Sequence, residues 1–140
     1  MRNYYPDEVA IVFAGIPVGG FGEDTFIEVE WDNEGFTDVV GRDGEVSRAR
    51  MNDRRAIVTL TIMQTSPSNA ALQALHNTDM SAAGGAGVGA FAMRDRQGTL
   101  VVRSDEAWIQ TSAPVTLARE VQAREWKIRL ARGEATGGGN

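Results

Sequence analysis

The residue types that could carry chemistry are few and scattered. Gly85-Ala86-Gly87-Val88-Gly89-Ala90 follows the glycine spacing that brings a backbone close to a pyrophosphate at a helix N-terminus. That chemistry needs a strand leading in and a helix leading out, and neither flanks these residues, so they read as a flexible loop. Histidine occurs once, at His76, which excludes a two-histidine zinc motif and leaves at most a lone base. At the end of a short helix that imidazole is placed to interact with the helix dipole instead. Ser66 stands beside Pro67 and not in a glycine-flanked elbow, so its hydroxyl suits a helix cap better than a nucleophile. The carboxylate pairs Asp32 with Glu34 and Asp43 with Glu45 lie in turn sequences, without the further acids and closing glutamate of a calcium loop. The residues therefore predict no catalytic, cofactor-binding or metal-ligating set, and no enzyme.

Charge narrows the partners. The 140 residues carry a formal net charge of −5, which argues against a nucleic-acid binder, because neutralising phosphates takes clustered Lys and Arg. Arg48, Arg50, Arg54 and Arg55 do cluster, but Asp43, Glu45 and Asp53 interleave with them, as on a solvated mixed-charge hairpin. Lys127 is the one lysine beside thirteen arginines. The planar guanidinium favours bidentate pairing with carboxylates across interfaces, which points to subunit contacts. Cysteine is absent, so packing and strand pairing must hold the fold. The N-terminal residues lack the apolar core of a secretory signal, and no stretch approaches the roughly 20 apolar residues of a membrane span.

The elements that would position these residues are mostly strands, in one domain over 1–140. Residues 9–14 are apolar in both phases and predict a strand covered on both faces, and 16–23 predict a loop punctuated by Pro17, Gly19, Gly20 and Gly22. Ile27, Val29 and Trp31 alternate with Glu28 and Glu30, as in a strand with one wet face. Residues 36–40 and 45–51, joined by Gly41-Arg42-Asp43-Gly44, form a polar hairpin that buries little and protrudes over 36–53. The long run 56–65 is rich in β-branched residues, and its alternation puts Val58, Leu60 and Ile62 on the core face. Pro67 then opens a short helix capped by Ser66 and ending near Asn77, with Leu72 and Leu75 on one face. A glycine-rich loop covers 79–89, a hairpin turns at Asp95-Arg96-Gln97-Gly98, and 107–111 form a separate strand. Residues 115–122 stay ambiguous between loop and strand. Trp126, Ile128 and Leu130 alternate along a half-buried strand, and 133–140 form a flexible tail. Trp31 and Trp126 share the apolar phase of their strands, which favours core packing over an aromatic recognition surface with Trp108. Many strands and one helix predict a mainly β fold, an antiparallel β-sandwich or barrel with a flanking α-helix.

The order of these motifs resembles a phage structural family, the tail tube (inner tube) proteins of contractile-tailed phages. The resemblance rests on Gly41-Arg-Asp-Gly-Glu-Val46, on the long strand running into Thr65-Ser-Pro-Ser-Asn69, and on the later Ala118-Arg-Glu-Val and Glu125-Trp-Lys-Ile segments. It implies a tail-tube-like subunit that self-assembles into stacked hexameric rings. It further implies localisation in the virion tail after assembly in the host cytoplasm, and tail sheath, tape measure, baseplate and tail terminator proteins as partners. DNA would pass through the lumen without specific binding, with no cofactor and no membrane. On that reading Gly41, Arg42, Asp43, Gly44, Glu45, Arg48, Arg50 and Arg54 are expected at inter-subunit contacts, and Glu28 and Glu30 on the lumen. The alternative is a tail completion, baseplate or other virion binding module on the same β-barrel that forms no long tube.

Overall fold

The computed structural model describes residues 9–18, 27–82, 84–95, 100–114 and 123–136. In chain order the elements are β1 (Val9–Phe13), β2 (Ile16–Val18), β3 (Ile27–Trp31), β4 (Phe36–Val40), β5 (Val46–Arg50), β6 (Ala56–Met63), α1 (Ser68–Ser81), β7 (Gly89–Asp95), β8 (Val101–Thr111), β9 (Ala123–Leu130) and β10 (Glu134–Thr136). Every strand pair is antiparallel. The main sheet runs β2-β1-β7-β8-β9-β6-β3 with β10 added on β8, and β4 and β5 make a separate two-stranded sheet. The mainly β fold with one helix is the one the residue pattern predicts.

β6 and β9 form the centre of one half of the sheet, paired in unbroken register from Ala56↔Leu130 to Met63↔Ala123. Alternation decides their faces as read from sequence. Val58, Leu60, Ile62, Trp126, Ile128 and Leu130 are buried, while Thr59, Thr61 and Met63 are only partly covered. Ile11, Phe13, Phe91, Met93 and Val102 supply the other half of the same core, with Leu72 from α1, which lies against β2 and β8. β8 joins the two halves. Its first residues pair with β7 on one edge and β10 on the other, and from Ala107 the second edge passes to β9. The changeover leaves Glu106 out of the ladder, and its carbonyl accepts the N–H of Ala131 at 2.9 Å.

Several local expectations change in three dimensions. β1 is covered on one face only, since Val12 is exposed while Ile11 and Phe13 are buried. The loop expected from residue 16 begins with β2, which returns on β1 through a two-residue turn at Ala14 (φ 52°) and Gly15 (φ 81°). Both turn residues have positive φ, matching the twist of the flanking strands, and alanine there gives no turn signal in sequence. The separate strand expected at 107–111 is the end of β8, which is continuous from Val101 to Thr111. Glu134–Thr136, expected to be tail, is β10. The proposed turn at 96–98, the ambiguous run 115–122 and the final glycines 137–139 lie outside the described residues.

The helix starts one residue later than expected and ends later. Pro67 occupies the N-cap position with no side-chain cap of its own, and the Ser66 Oγ accepts the N–H of Ser68 at 3.3 Å. α1 reaches Ser81 because its polar last turns bond back to the helix: Thr78 Oγ1 donates to the Ala74 carbonyl at 2.9 Å and Ser81 Oγ to that of Asn77 at 2.7 Å. His76 is therefore inside the helix, not at its end, which removes the expected dipole role. Its Nδ1 is buried without a hydrogen-bond partner among the described residues.

Candidate assembly surface

The β4–β5 hairpin stands apart from the main sheet as a two-stranded sheet of its own. All ten strand residues are exposed. Apolar side chains are among them: Phe36 is 47% exposed, Val39 70%, and Val40 and Val46 62% each. The register places Phe36 opposite Arg50, Asp38 opposite Arg48 and Val40 opposite Val46 on one face, with Thr37, Ala49, Val39 and Ser47 on the other. Arg48 lies over the Phe36 ring, 4.4 Å from its centroid. At the tip the Gly41 N–H donates to the Glu45 carbonyl at 2.8 Å, Gly44 adopts φ 84°, and Asp43 Oδ1 accepts the Glu45 N–H at 3.1 Å. These bonds shape the turn and leave the outer carboxylate and guanidinium groups of Arg42, Asp43 and Glu45 in solvent.

Residues that the sequence reading did not assign hold the hairpin root. The Met51 N–H donates to the Gly35 carbonyl at 2.9 Å and closes the arm, and the Asp32 N–H donates to Arg55 at 3.1 Å. Asp53 accepts from the Arg55 guanidinium on both carboxylate oxygens and from the Asn33 amide, so one leg of the arm grips the other. Arg129 of β9 donates to Asp32 and, through Nε, to Gln110 at 2.8 Å, which ties the root to the main sheet. No sequence signal links Arg129 to a partner 97 positions away. Arg54 instead covers the Trp31 ring at 4.8 Å.

The hydrogen bonds and charge of Arg55 hold the Asp53 carboxyl below its ordinary value of 3.8, and Asp53 in turn raises Arg55. A lowered carboxylate pKa stabilises the clamp above the ordinary value, and this contribution is lost as pH falls through the lowered one. Amide exchange at Met51, corrected for the intrinsic pH dependence of exchange, is therefore expected to stay flat from pH 7 to about 5 and to accelerate only below about 4. Asp53→Asn should bring the faster exchange to neutral pH, several-fold, while the melting temperature stays near wild type, since the pair is exposed. Unchanged Met51 exchange in that variant would show that the clamp does not hold the arm.

Glu28 and Glu30 are both exposed on β3, which forms one edge of the main sheet, and stand opposite Thr59 and Ile57 of β6. Their side of the sheet continues through Lys127 and Arg129. Of the glycines that follow the dinucleotide spacing, Gly87 is buried and its N–H donates to Asp79 Oδ1 at 3.1 Å. That amide is already engaged, and the segment follows a helix and leads into a strand, the reverse of the phosphate-binding order.

The geometry is that of a β subunit with an exposed arm, and the sequence profile of the bacteriophage PhiTE tail tube protein family matches residues 15–137. The chain belongs to that family. Structural protein ORF10 of Pseudomonas phage KPP10 is 31% identical over 144 residues, an alignment covering 99% of this chain and 83% of that protein. The chain is a tail-tube-related structural protein of the phage virion and not an enzyme. Its fold is shared with the tube-terminating cap of the anti-feeding prophage (TM-score 0.62, 10% identity, covering 99% of this chain and 95% of that one). It is also shared with two chains of the PVC extracellular contractile injection system in the extended state. One is from the sheath/tube terminator (TM-score 0.66, 10% identity, 98% and 99% covered) and one from the sheath-tube complex (TM-score 0.62, 8% identity, 97% and 93% covered).

Proposed function

We propose that the chain assembles into hexameric rings that stack into the inner tube of a contractile phage tail, through which the genome reaches the host. The observation that carries this reading is the β4–β5 arm: a tail tube family member projects a hairpin with exposed Phe36, Val39, Val40 and Val46, none of whose strand residues is buried. Two-stranded hairpins are marginal in water alone, and a neighbouring copy gives this one a surface to cover. Gly41 to Glu45, Arg48, Arg50 and Arg54 then belong to contacts between copies. Glu28 and Glu30 line the bore, where their charge, repeated around the ring, repels phosphates and lets DNA slide without binding. Sheath, tape measure, baseplate and terminator proteins would meet the tube in the host cytoplasm, where it assembles. The fold likeness to terminator chains supports a second reading, a tail completion protein that caps a tube without extending it.

Negative-stain microscopy of the concentrated full chain separates these readings. Rings and tubes of uniform bore are expected, and a strictly monomeric species overturns the tube. Because the chain has no cysteine, Glu30→Cys offers a single labelling site. In assembled tubes a small maleimide should react there while a large polymer-linked one is excluded, and equal labelling by both would place Glu30 outside the bore.

A further inference from the structure

Three guanidinium groups without a carboxylate partner among the described residues line one cleft at the root of the arm. The cleft encloses about 500 Å³ between the base of the β4–β5 hairpin, with Phe36 and Arg50, and the segment entering β10, with Arg132 and Glu134; Arg54 completes it. Among the described residues none of the three arginines forms an ion pair, whereas Arg55, Arg103 and Arg129 all do. Arg54 is held over Trp31, and Glu134, the one carboxylate among the described residues of the cleft, is already bonded to Arg103 at 3.4 Å. An excess of unpaired cations beside an exposed aromatic wall suits a carboxylate ligand, which the guanidinium fork binds through two parallel hydrogen bonds.

We infer that this cleft receives the hairpin tip of a second copy, with Asp43 and Glu45 as the carboxylates. The inference rests on the tube reading and adds the address of the contact. Asp43 and Glu45 are exposed, and neither has a cationic partner among the described residues. Arg42 at the same tip offsets one of the two charges, so the contact draws on both acids. They cannot serve their own cleft, because the tip and the root lie at opposite ends of arms five residues long, roughly 17 Å. Donor and acceptor are thus different surfaces of one chain. Used head to tail, such a contact repeats from copy to copy, as rings and stacks require.

Charge reversal tests the inference on the full chain, read by sedimentation velocity and negative-stain microscopy with melting temperature as the folding control. The double variant Arg50→Glu/Arg132→Glu is expected to lower the assembled fraction about tenfold or more at unchanged melting temperature, since both side chains are exposed. Asp43→Arg/Glu45→Arg should do the same, and the four changes together should restore assembly. Wild-type assembly with an equally assembling Arg50→Glu/Arg132→Glu variant overturns the cleft and leaves the tube reading standing. A defect that the combined variant does not repair overturns the tip as occupant. A wild-type chain that never assembles overturns both. Duplex DNA captured by the wild type and not by the arginine variant, with assembly unaffected, overturns the inference in favour of a phosphate ligand.

Discussion

Asn69→Ala is expected to destabilise the chain by roughly 3 kcal/mol and to lower its melting temperature by on the order of 10 °C. Asn69 is 6% exposed and sits where β6 breaks into α1. Its Nδ2 donates to the Met63 carbonyl at 2.8 Å, with the Gln64 and Ser66 carbonyls at 3.3 Å, so one amide collects the backbone acceptors of the corner. Its Oδ1 accepts the indole N–H of Trp126 at 2.9 Å, and Trp126 is 1% exposed. Alanine orphans that buried donor and removes the amide that ties the Met63, Gln64 and Ser66 carbonyls together, although the Met63 carbonyl keeps the Ser66 N–H at 3.0 Å; a buried polar group without a partner costs about 1–3 kcal/mol. A double-mutant cycle isolates the indole contribution. In a Trp126→Phe background, which has no N–H to orphan, Asn69→Ala should cost about 1 kcal/mol less. Asn69→Asp should be at least as damaging as alanine, because a carboxylate has no N–H to give the carbonyls and loses its hydration there. Chemical or thermal denaturation checks all three, and a loss below about 0.5 kcal/mol for Asn69→Ala would show that water or relaxation replaces the network.

Replacing residues 36–50 by a two- or three-residue Gly-Ser link is expected to abolish assembly while the remaining chain folds. The arm pairs only with itself, in register from Phe36↔Arg50 to Val40↔Val46, and none of its strand residues is buried. Gly35 and Met51 are already bridged by a hydrogen bond of 2.9 Å, so a short link joins them without moving β3 or β6. The melting temperature should change by no more than about 3 °C, because exposed residues away from the core contribute little to stability. Ring and tube formation should vanish, since four large apolar side chains and the charges around them leave with the arm. Tubes of normal stability from the shortened chain would remove the arm from the assembly. A collapse of the melting temperature would instead show that the arm supports the body, against its exposure.

Part of this surface was legible before any coordinates. Gly41-Arg42-Asp43-Gly44-Glu45 reads as a turn because glycine supplies the positive φ at Gly44 and an aspartate side chain can bond its own backbone, and both features appear. A hairpin of residues with little to bury reads as protruding, and its exposure agrees. The clamp at its root was not legible. Asp32 reads as an ordinary turn acid and Asp53 as part of a solvated mixed-charge hairpin, whereas their guanidinium partners are Arg55 close by and Arg129 on a distant strand. The arginine cleft was hidden for the same reason, since Arg132 reaches Arg50 and Arg54 only after β10 folds back on β8.

Alternation along 56–63 and 123–130 was enough to determine which side chains make the core, because a strand's period of two is a property of each backbone segment by itself. That the strand of 56–65 stops before Pro67 was equally local, as proline cannot donate to a ladder, although β6 already ends at Met63, where the corner begins. The tertiary structure alone decided which strands neighbour one another and that β2 and β10 exist. Three-residue strands carry too little pattern to be seen and persist only because a partner, β1 or β8, offers its ladder. It also decided why Asn69 follows the proline: the residue's value lies in an indole 57 positions away. Patterns of period two and of chain-breaking residues are written within a few positions, whereas satisfied polar groups and unpaired charges exist only once distant segments meet.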